Sequence, residues 1–149
     1  MIHKVKGFTL IELVTVMILI GIMSVVLFSR VGSMGTTSIQ SGRDDLIAAL
    51  FFTQQQAMMR ASATNIIRLQ LATNSVVVTE TVNMATPVTL YSVTMPNGVT
   101  FTTTPAISTF VYDKLGRTSA ATITLTGAGN SSGVSASIRV EASGYAFAN

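Results

Sequence analysis

One carboxylate lies near the start of the most apolar stretch of the chain. Residues 8–28 read FTLIELVTVMILIGIMSVVLF, and Glu12 is the single charged residue among them. A carboxylate near the centre of a membrane helix costs about 2.5–3.5 kcal/mol, so Glu12 needs either a position among lipid headgroups or a cationic partner. Cleavage after Gly7 would supply that partner, because the new α-amine of Phe8 would be largely cationic at neutral pH. The residues therefore predict an ion pair between Phe8 of one subunit and Glu12 of its neighbour, which would set an axial register.

The rest of the chain offers little for catalysis. Its 149 residues include no cysteine and one histidine, His3, at the extreme N-terminus. This composition excludes disulfides and thiolate nucleophiles, and it disfavours catalytic triads, general bases and metal sites that use histidine. Asp44 and Asp45 are adjacent, so their side chains leave a helix in different directions and make a poor acid–base pair. The sequence therefore predicts a protein that is not an enzyme and has no cofactor, metal ion or small-molecule substrate.

The apolar stretch has the length of a membrane span. Its 21 residues would form a helix of about 31 Å, and the hydrocarbon core of a bilayer is about 30 Å thick. Lys4 and Lys6 precede the stretch and only Arg30 follows it closely, so the positive-inside rule puts the N-terminus in the cytoplasm. A secretory signal peptide is the alternative, but its apolar region runs about 7–15 residues and ends at a small-residue cleavage site, which is absent here. Residues 8–30 are therefore predicted to form a single-pass transmembrane helix, with the rest of the chain exported.

Beyond this span the sequence predicts a joint and then a second helix. Gly32 and Gly35 fall within residues 31–41, and each weakens a helix by up to about 1 kcal/mol relative to alanine, so a flexible or bent joint is expected. Residues 43–63 space their apolar side chains at helical intervals. One row comprises Leu46, Leu50, Ala57 and Ala61, and a second comprises Ile47, Phe51 and Met58. Residues 31–63 are therefore predicted to be a hinge and an amphipathic helix.

Residues 64–149 have β character, because they are rich in threonine, valine and isoleucine. Seven strands are predicted between turn residues, at 65–72, 76–82, 88–95, 99–103, 109–112, 122–126 and 135–142. Ile67 and Leu69 alternate with Arg68 and Gln70, so this strand should have one buried and one wet face. The predicted fold class is α+β, a long N-terminal helix with a transmembrane half and an amphipathic half, packed on an antiparallel β-sheet head.

The segment KGFTLIEL at residues 6–13, followed by an apolar helix, resembles the class III signal of type IV pilins and type II secretion pseudopilins. The resemblance implies a leader of residues 1–7, cleaved after Gly7, and N-methylation of Phe8 by a prepilin peptidase. It assigns Glu12 as the assembly glutamate and makes Lys4 and Lys6 the basic residues of the leader. The implied partners are other pilin or pseudopilin subunits, the prepilin peptidase, an assembly platform protein and inner-membrane lipid. The implied location is the inner membrane, with a periplasmic head, and then a filament at the cell surface.

The remainder of the chain resembles a narrower group of minor pilins. The segments LIAALFFTQQQAMMR, FVYDKLGR and SIRVEASG are similar to segments of GspH-type pseudopilins, FimT-type pilins and the minor pilins of mannose-sensitive haemagglutinin pili. Ser29 occupies a position where many family members have proline, and the chain lacks the two cysteines that close a C-terminal loop in many major pilins. The missing cysteines favour a minor subunit. The resemblance leaves open which filament or secretion system recruits it.

DNA binding by a FimT-like pilin is the alternative function. Lys114, Arg117 and Arg139 could converge on one face, with Tyr112 or Tyr145 stacking on bases. Without residues 1–7, however, seven basic side chains face six acidic ones, a net charge of +1, which is a poor electrostatic footprint for nucleic acid. The tail GYAFAN carries no basic residue, whereas FimT-like DNA receptors use a basic C-terminal region. The sequence therefore disfavours nucleic acid as a partner.

Overall fold

The chain divides into two compact units, Met1–Met34 and Gly35–Asn149. The computed structural model describes residues 9–31, 34–129 and 132–149, with the backbone alone described for 25–31 and 34–35. In the first unit, helix α1 spans Leu10–Val31. Within the described part of the chain, no helix combines the length and the apolar character needed to cross a membrane.

Helix α2 spans Met34–Arg60 and supplies the helical layer of the second unit. It begins at Met34, before the predicted start at 43, so residues 34–41 are helical where a joint was predicted. Ile39 accounts for the extension, because its side chain is buried in the core and tertiary packing stabilises a helix more than local propensity does. Gly35 lies inside α2, and Gly32, the other glycine of the predicted joint, lies outside the described residues.

One apolar row of α2 is buried as predicted and the other is not. Leu46, Leu50, Ala57 and Ala61 are all buried in the core. In the second predicted row, Ile47 is partly buried, whereas Phe51 and Met58 are more than two-fifths exposed. Ala49 and Thr53 are buried in their place, and the Thr53 hydroxyl donates to the Ala49 carbonyl oxygen at 2.6 Å. The buried face of α2 is therefore rotated away from Phe51 and Met58.

Within the described residues, eight strands form two four-stranded antiparallel sheets. They are β1 (Asn65–Leu71), β2 (Ser75–Val82), β3 (Val88–Thr94), β4 (Val99–Thr104), β5 (Thr109–Tyr112), β6 (Ala121–Gly127), β7 (Ser135–Val140) and β8 (Ala146–Ala148). The first sheet has the order β3-β2-β1-β5 and the second has the order β4-β6-β7-β8. The chain thus leaves the first sheet after β3, adds β4 to the second, returns for β5 and completes the second sheet.

The α+β class and all seven predicted strands are confirmed, with small differences at their ends. The prediction did not resolve two sheets, and it missed β8, whose three residues are too short for an alternating pattern to be recognised. Ile67 and Leu69 are buried while Gln70 is exposed, which confirms the alternation in β1.

A single core lies between α2 and both sheets. The helix contributes Leu46 and Leu50, the first sheet Leu69 and Phe110, and the second sheet Ile123, among others. The distal end of α2 is also joined to the first sheet by polar contacts. Arg60 Nη1 lies 3.1 Å from Glu80 Oε2 on β2, and Asn65 Nδ2 donates to Glu80 Oε1 at 2.7 Å. The helix and the two sheets therefore form one packed head.

Candidate assembly site and head surface

The predicted assembly site lies at the start of α1, and the structure describes only part of it. Lys4, Lys6, Gly7 and Phe8 lie outside the described residues. Glu12 is described and sits in the first turn of the helix. Of the two residues of the predicted ion pair, the structure therefore describes Glu12 and not Phe8.

Thr9 caps the helix that carries Glu12. The Glu12 backbone N–H donates to the Thr9 carbonyl oxygen at 3.1 Å and lies 3.4 Å from Thr9 Oγ1. This is one half of a capping box, in which a threonine precedes a glutamate by three residues. The Thr-x-x-Glu spacing was visible in the sequence, but the role of Thr9 was not predicted.

The carboxylate of Glu12 is not used in this cap. It is exposed, and it forms no hydrogen bond or ion pair with any residue that the structure describes. A carboxylate in the first turn favours the helix dipole by about 0.3–1 kcal/mol, and its oxygens retain their capacity to accept hydrogen bonds from another group. The Glu12 carboxylate in the first turn of α1 therefore has no partner among the described residues.

The described side chains of α1 form an apolar surface on every side of the helix. Those at residues 9–24 are all exposed, and Glu12 is the one charged residue among them. The large apolar ones are Leu10, Ile11, Leu13, Val14, Val16, Met17, Ile18, Leu19, Ile20, Ile22 and Met23. A contiguous exposed apolar surface of this kind marks a membrane or protein interaction site.

Gln54 of α2 joins two loops of the head. Its Nε2 donates to the Gly116 carbonyl oxygen at 3.2 Å and to the Ser143 carbonyl oxygen at 3.1 Å. Gly116 lies between β5 and β6, and Ser143 lies between β7 and β8. The Thr118 N–H also donates to the Ala142 carbonyl oxygen at 3.2 Å, which connects the two loops directly. These are the segments of the FVYDKLGR and SIRVEASG motifs, so the motifs serve to bind the loops to the helix.

Two of the three basic residues considered for DNA contact are neutralised. Arg117 Nε donates to Asp113 Oδ2 at 2.8 Å, and Arg139 Nε donates to Glu141 Oε1 at 2.7 Å. Lys114 is exposed and forms no ion pair with a described residue. Of these three candidate residues, Lys114 alone therefore has no acidic partner among the described residues.

The Asp113 carboxylate organises its own loop. Its Oδ1 accepts hydrogen bonds from the Leu115 and Arg117 backbone N–H groups, each at 2.9 Å. The Arg117 backbone N–H, ahead of the Arg117 guanidinium, lowers the pKa of Asp113 below its usual value. Asp113 therefore stays ionised and keeps Arg117 engaged.

The two tyrosines proposed for base stacking differ in exposure. Tyr112 is 2% exposed, so the expectation that it could stack on a base is wrong, and burial raises its pKa. Tyr145 is about half exposed, and its ring centroid lies 6.0 Å from that of Phe51 and 5.8 Å from that of Phe147. Tyr145 and the exposed Phe51 thus form a small cluster of three rings with the partly buried Phe147 at the edge of the second sheet.

The N-terminal part of the chain matches a family model. Residues 2–28 match the family described as the prokaryotic N-terminal methylation motif, and this range contains Gly7, Phe8 and Glu12. No curated protein matches the chain in sequence.

Solved structures of two bacterial proteins share the fold. The type IV minor pilin FimU of Pseudomonas aeruginosa strain PAO1 gives a TM-score of 0.62 at 13% identity, over 76% of this chain and 90% of FimU. The minor pseudopilin EpsH from the type 2 secretion system of Vibrio cholerae gives a TM-score of 0.57 at 11% identity, over 75% of this chain and 96% of EpsH. At these identities the likeness is one of fold.

Proposed function

We propose that this chain, whose methylation motif and fold support a minor pilin of the type IV pilin and pseudopilin family, is a structural subunit of a pilus-like filament assembled from the inner membrane. In this proposal the mature chain begins at Phe8, and Glu12 pairs with the N-methylated Phe8 amine of a neighbouring subunit. The pair neutralises two charges in an apolar environment and sets the axial register between subunits.

The position of Glu12 is the observation that carries the proposal. Its carboxylate is exposed in the first turn of an apolar helix and is unpaired among the described residues. The helix dipole stabilises it by about 0.3–1 kcal/mol, whereas a carboxylate costs up to about 2.5–3.5 kcal/mol as it approaches the centre of a membrane helix. A cationic partner offsets the difference, and the Phe8 amine has the charge and the position in sequence to be that partner.

The apolar surface of α1 must be shielded from water both before and after assembly. Before assembly, inner-membrane lipid covers it, with the N-terminus in the cytoplasm and the head in the periplasm. After assembly, the α1 helices of neighbouring subunits cover it. Such a transfer exchanges one apolar environment for another, so it costs little hydrophobic free energy, and the ion pair decides which register is stable.

Processing precedes assembly. A prepilin peptidase cleaves after Gly7 and methylates Phe8, while Lys4 and Lys6 keep the leader on the cytoplasmic side. An assembly platform protein then receives the mature subunit. Cleavage is what creates the cation, so an unprocessed chain lacks the partner for Glu12.

Mass spectrometry of the mature N-terminus tests the processing step. In cells with an active prepilin peptidase, we expect the membrane and filament fractions to contain a chain that begins with methylated Phe8. A chain that still begins at Met1 in those cells would contradict the proposal.

A Glu12→Gln variant tests the ion pair. The amide keeps the shape of the side chain and removes its charge, so cleavage and membrane insertion should continue while the amount in sheared filaments falls at least about tenfold. Ser24→Ala is the matched control, because among the described residues the Ser24 hydroxyl bonds to the Ile20 carbonyl oxygen of its own helix, and this variant should assemble like wild type. Wild-type levels of the Glu12→Gln variant in filaments would refute the pairing and leave the family assignment intact.

A type II secretion pseudopilin is the second candidate, favoured by the fold shared with EpsH. The two candidates differ in the subunits that co-purify with the chain and in what its deletion abolishes. Loss of protein secretion with surface pili intact would assign the pseudopilin, and loss of surface pili would assign the pilin. The ion pairs of Arg117 and Arg139 weigh against the third candidate, a DNA receptor.

A further inference from the structure

The face of the first sheet that points away from the core carries one charge. Cross-strand pairing puts Arg68 of β1 directly opposite Thr79 of β2 on one side and Val111 of β5 on the other. Residues paired in this way have side chains on the same face of a sheet. We call this surface the Arg68 face, and it includes the apolar residues Ile66, Val77 and Val111 around Arg68, together with uncharged polar residues such as Gln70, Thr79 and Thr81. Glu80, the other charged residue in the four strands, faces α2 and pairs with Arg60.

The polar groups of the Arg68 face are incompletely satisfied. Arg68 Nε is buried and has no hydrogen-bond partner, and the guanidinium forms no ion pair within the described residues. Thr79 and Thr81 are 6% and 7% exposed, and the Oγ1 atom of each is likewise buried without a partner. The three atoms are covered by the chain itself, so the group of this face that a partner can reach is the rest of the partly buried Arg68 guanidinium, which has no counter-ion among the described residues.

The charge around the face selects an anion. Lys114 lies two residues after the end of β5, is exposed, and has no ion pair with a described residue. It lines a cleft of about 400 Å³ together with Ile66 and Val111 of the Arg68 face. The Asp113 carboxylate, which lines the same cleft, is already bound by Arg117, so Arg68 and Lys114 have no counter-ion in the part of the chain that the structure describes.

The shape of the face selects a protein surface. Val111 is half exposed, and Ile66 and Val77 are partly exposed, so apolar side chains flank Arg68 on a sheet. A central arginine among apolar side chains, with few other charges, is typical of the core of a protein–protein interface. Arginine also binds carboxylates through two parallel hydrogen bonds, which fixes their orientation.

We propose that the Arg68 face docks a neighbouring pilin-family subunit, which presents an aspartate or glutamate side chain to the Arg68 guanidinium. This contact rests on the proposed function, and it adds a head-to-head contact to the pairing of α1 helices. It gives the head a preference for one neighbour, because a subunit without a carboxylate at that position leaves Arg68 desolvated and unpaired.

Crosslinking in cells tests the proposal. A photoreactive amino acid replaces Val111, which is exposed and lies across from Arg68, in the full chain. We expect one major crosslink, to another pilin-family subunit, at a peptide that contains an aspartate or glutamate. We expect Arg68→Gln to reduce both this crosslink and the amount of the chain in sheared filaments at least about tenfold.

Matched variants separate recognition from folding. Arg139→Gln removes a strand arginine of the second sheet that is already paired with Glu141, and it should leave both readouts at wild-type levels. Arg68→Lys keeps the charge and loses the bidentate fork, so it should give an intermediate loss. Restoration of the crosslink by Arg68→Glu combined with lysine in place of the partner's acid would identify the pair directly.

The results that overturn the proposal are distinct from those that overturn the proposed function. If wild-type chain is absent from filaments, both fail. If wild type is present and the Arg68→Gln variant assembles equally well, the docking contact alone fails. A crosslink to lipid, to a protein outside the pilin family, or to a peptide without an acidic residue also refutes it. Circular dichroism of each variant must match wild type, and a misfolded Arg68→Gln leaves Arg68→Lys and the Val111 crosslink to decide.

Discussion

Among the described glycines, Gly144 is the position where a substitution by alanine should lower the stability of the head most. Its φ is +84°, and a Cβ built there would lie 1.8 Å from the Gly116 carbonyl oxygen and 2.8 Å from Gln54 Nε2. Real Cβ contacts are at least 3.0 Å, so in Gly144→Ala the two loops must separate by about 1.2 Å, the difference between these distances. Gln54 can then no longer hold both carbonyl groups.

The expected loss of stability has two parts. A non-glycine residue in the left-handed region costs about 1–2 kcal/mol. Loss of the two hydrogen bonds of Gln54, to Gly116 and Ser143, adds about 0.5–1.5 kcal/mol each. Gly144→Ala should therefore lower the free energy of unfolding by about 2–5 kcal/mol.

Gly133→Ala is the matched control. Gly133 has a φ of +82°, but a Cβ there would meet nothing within 4 Å, so this variant should lose only the conformational cost of about 1–2 kcal/mol. Urea unfolding of the full chain in detergent, followed by circular dichroism, measures both variants against wild type. Equal losses for the two alanine variants, within about 0.5 kcal/mol, would refute the role assigned to the close approach of the two loops.

Two further predictions concern the core. Tyr112→Phe removes a buried hydroxyl that has no partner among the described residues, so it should keep or raise the free energy of unfolding, by up to about 1–3 kcal/mol. Burial raises the pKa of Tyr112, so the folded chain keeps the hydroxyl proton at pH values where the unfolded chain, with a pKa near 10, loses it. Wild type should therefore lose stability as the pH rises above about 10, and the variant should lose less. A clear loss for Tyr112→Phe at neutral pH would show that the hydroxyl has a partner. Gly42→Ala should raise the melting temperature, because alanine favours a helix over glycine by about 0.5–1 kcal/mol. A Cβ at this position would lie in ordinary contact, 3.4 Å from Leu125 Cδ2 and Met95 Sδ. A lower melting temperature would mean that these two side chains cannot adjust.

The sequence predicted the elements of the fold better than their arrangement. Strands such as 65–72 were recognisable because alternating residues like Ile67 and Leu69 face a core, which is a local property. The division into two sheets depends on β4 pairing with β6 and β5 pairing with β1, and non-local pairings of this kind leave no trace in local alternation. The start of α2 was missed for the same reason, since the burial of Ile39 depends on the packed head.

The residues of the candidate site also differ in whether the sequence alone could reveal them. Glu12 stood out in the sequence because a single charge in an apolar stretch can be recognised without any knowledge of the fold. The isolation of Arg68 could not be inferred, because four strands must be aligned before Arg68 is seen to lie opposite Thr79 and away from Glu80. The neutralisation of Arg139 by Glu141 also needed coordinates, as side chains two residues apart on a strand share a face but need not touch.

The bonds of α2 have a mechanical consequence. Gln54 donates hydrogen bonds to a carbonyl oxygen on each of two loops that border the second sheet. Arg60, six residues further along the helix, forms an ion pair with Glu80 of the first sheet. A force applied along this helix is therefore transmitted to both sheets.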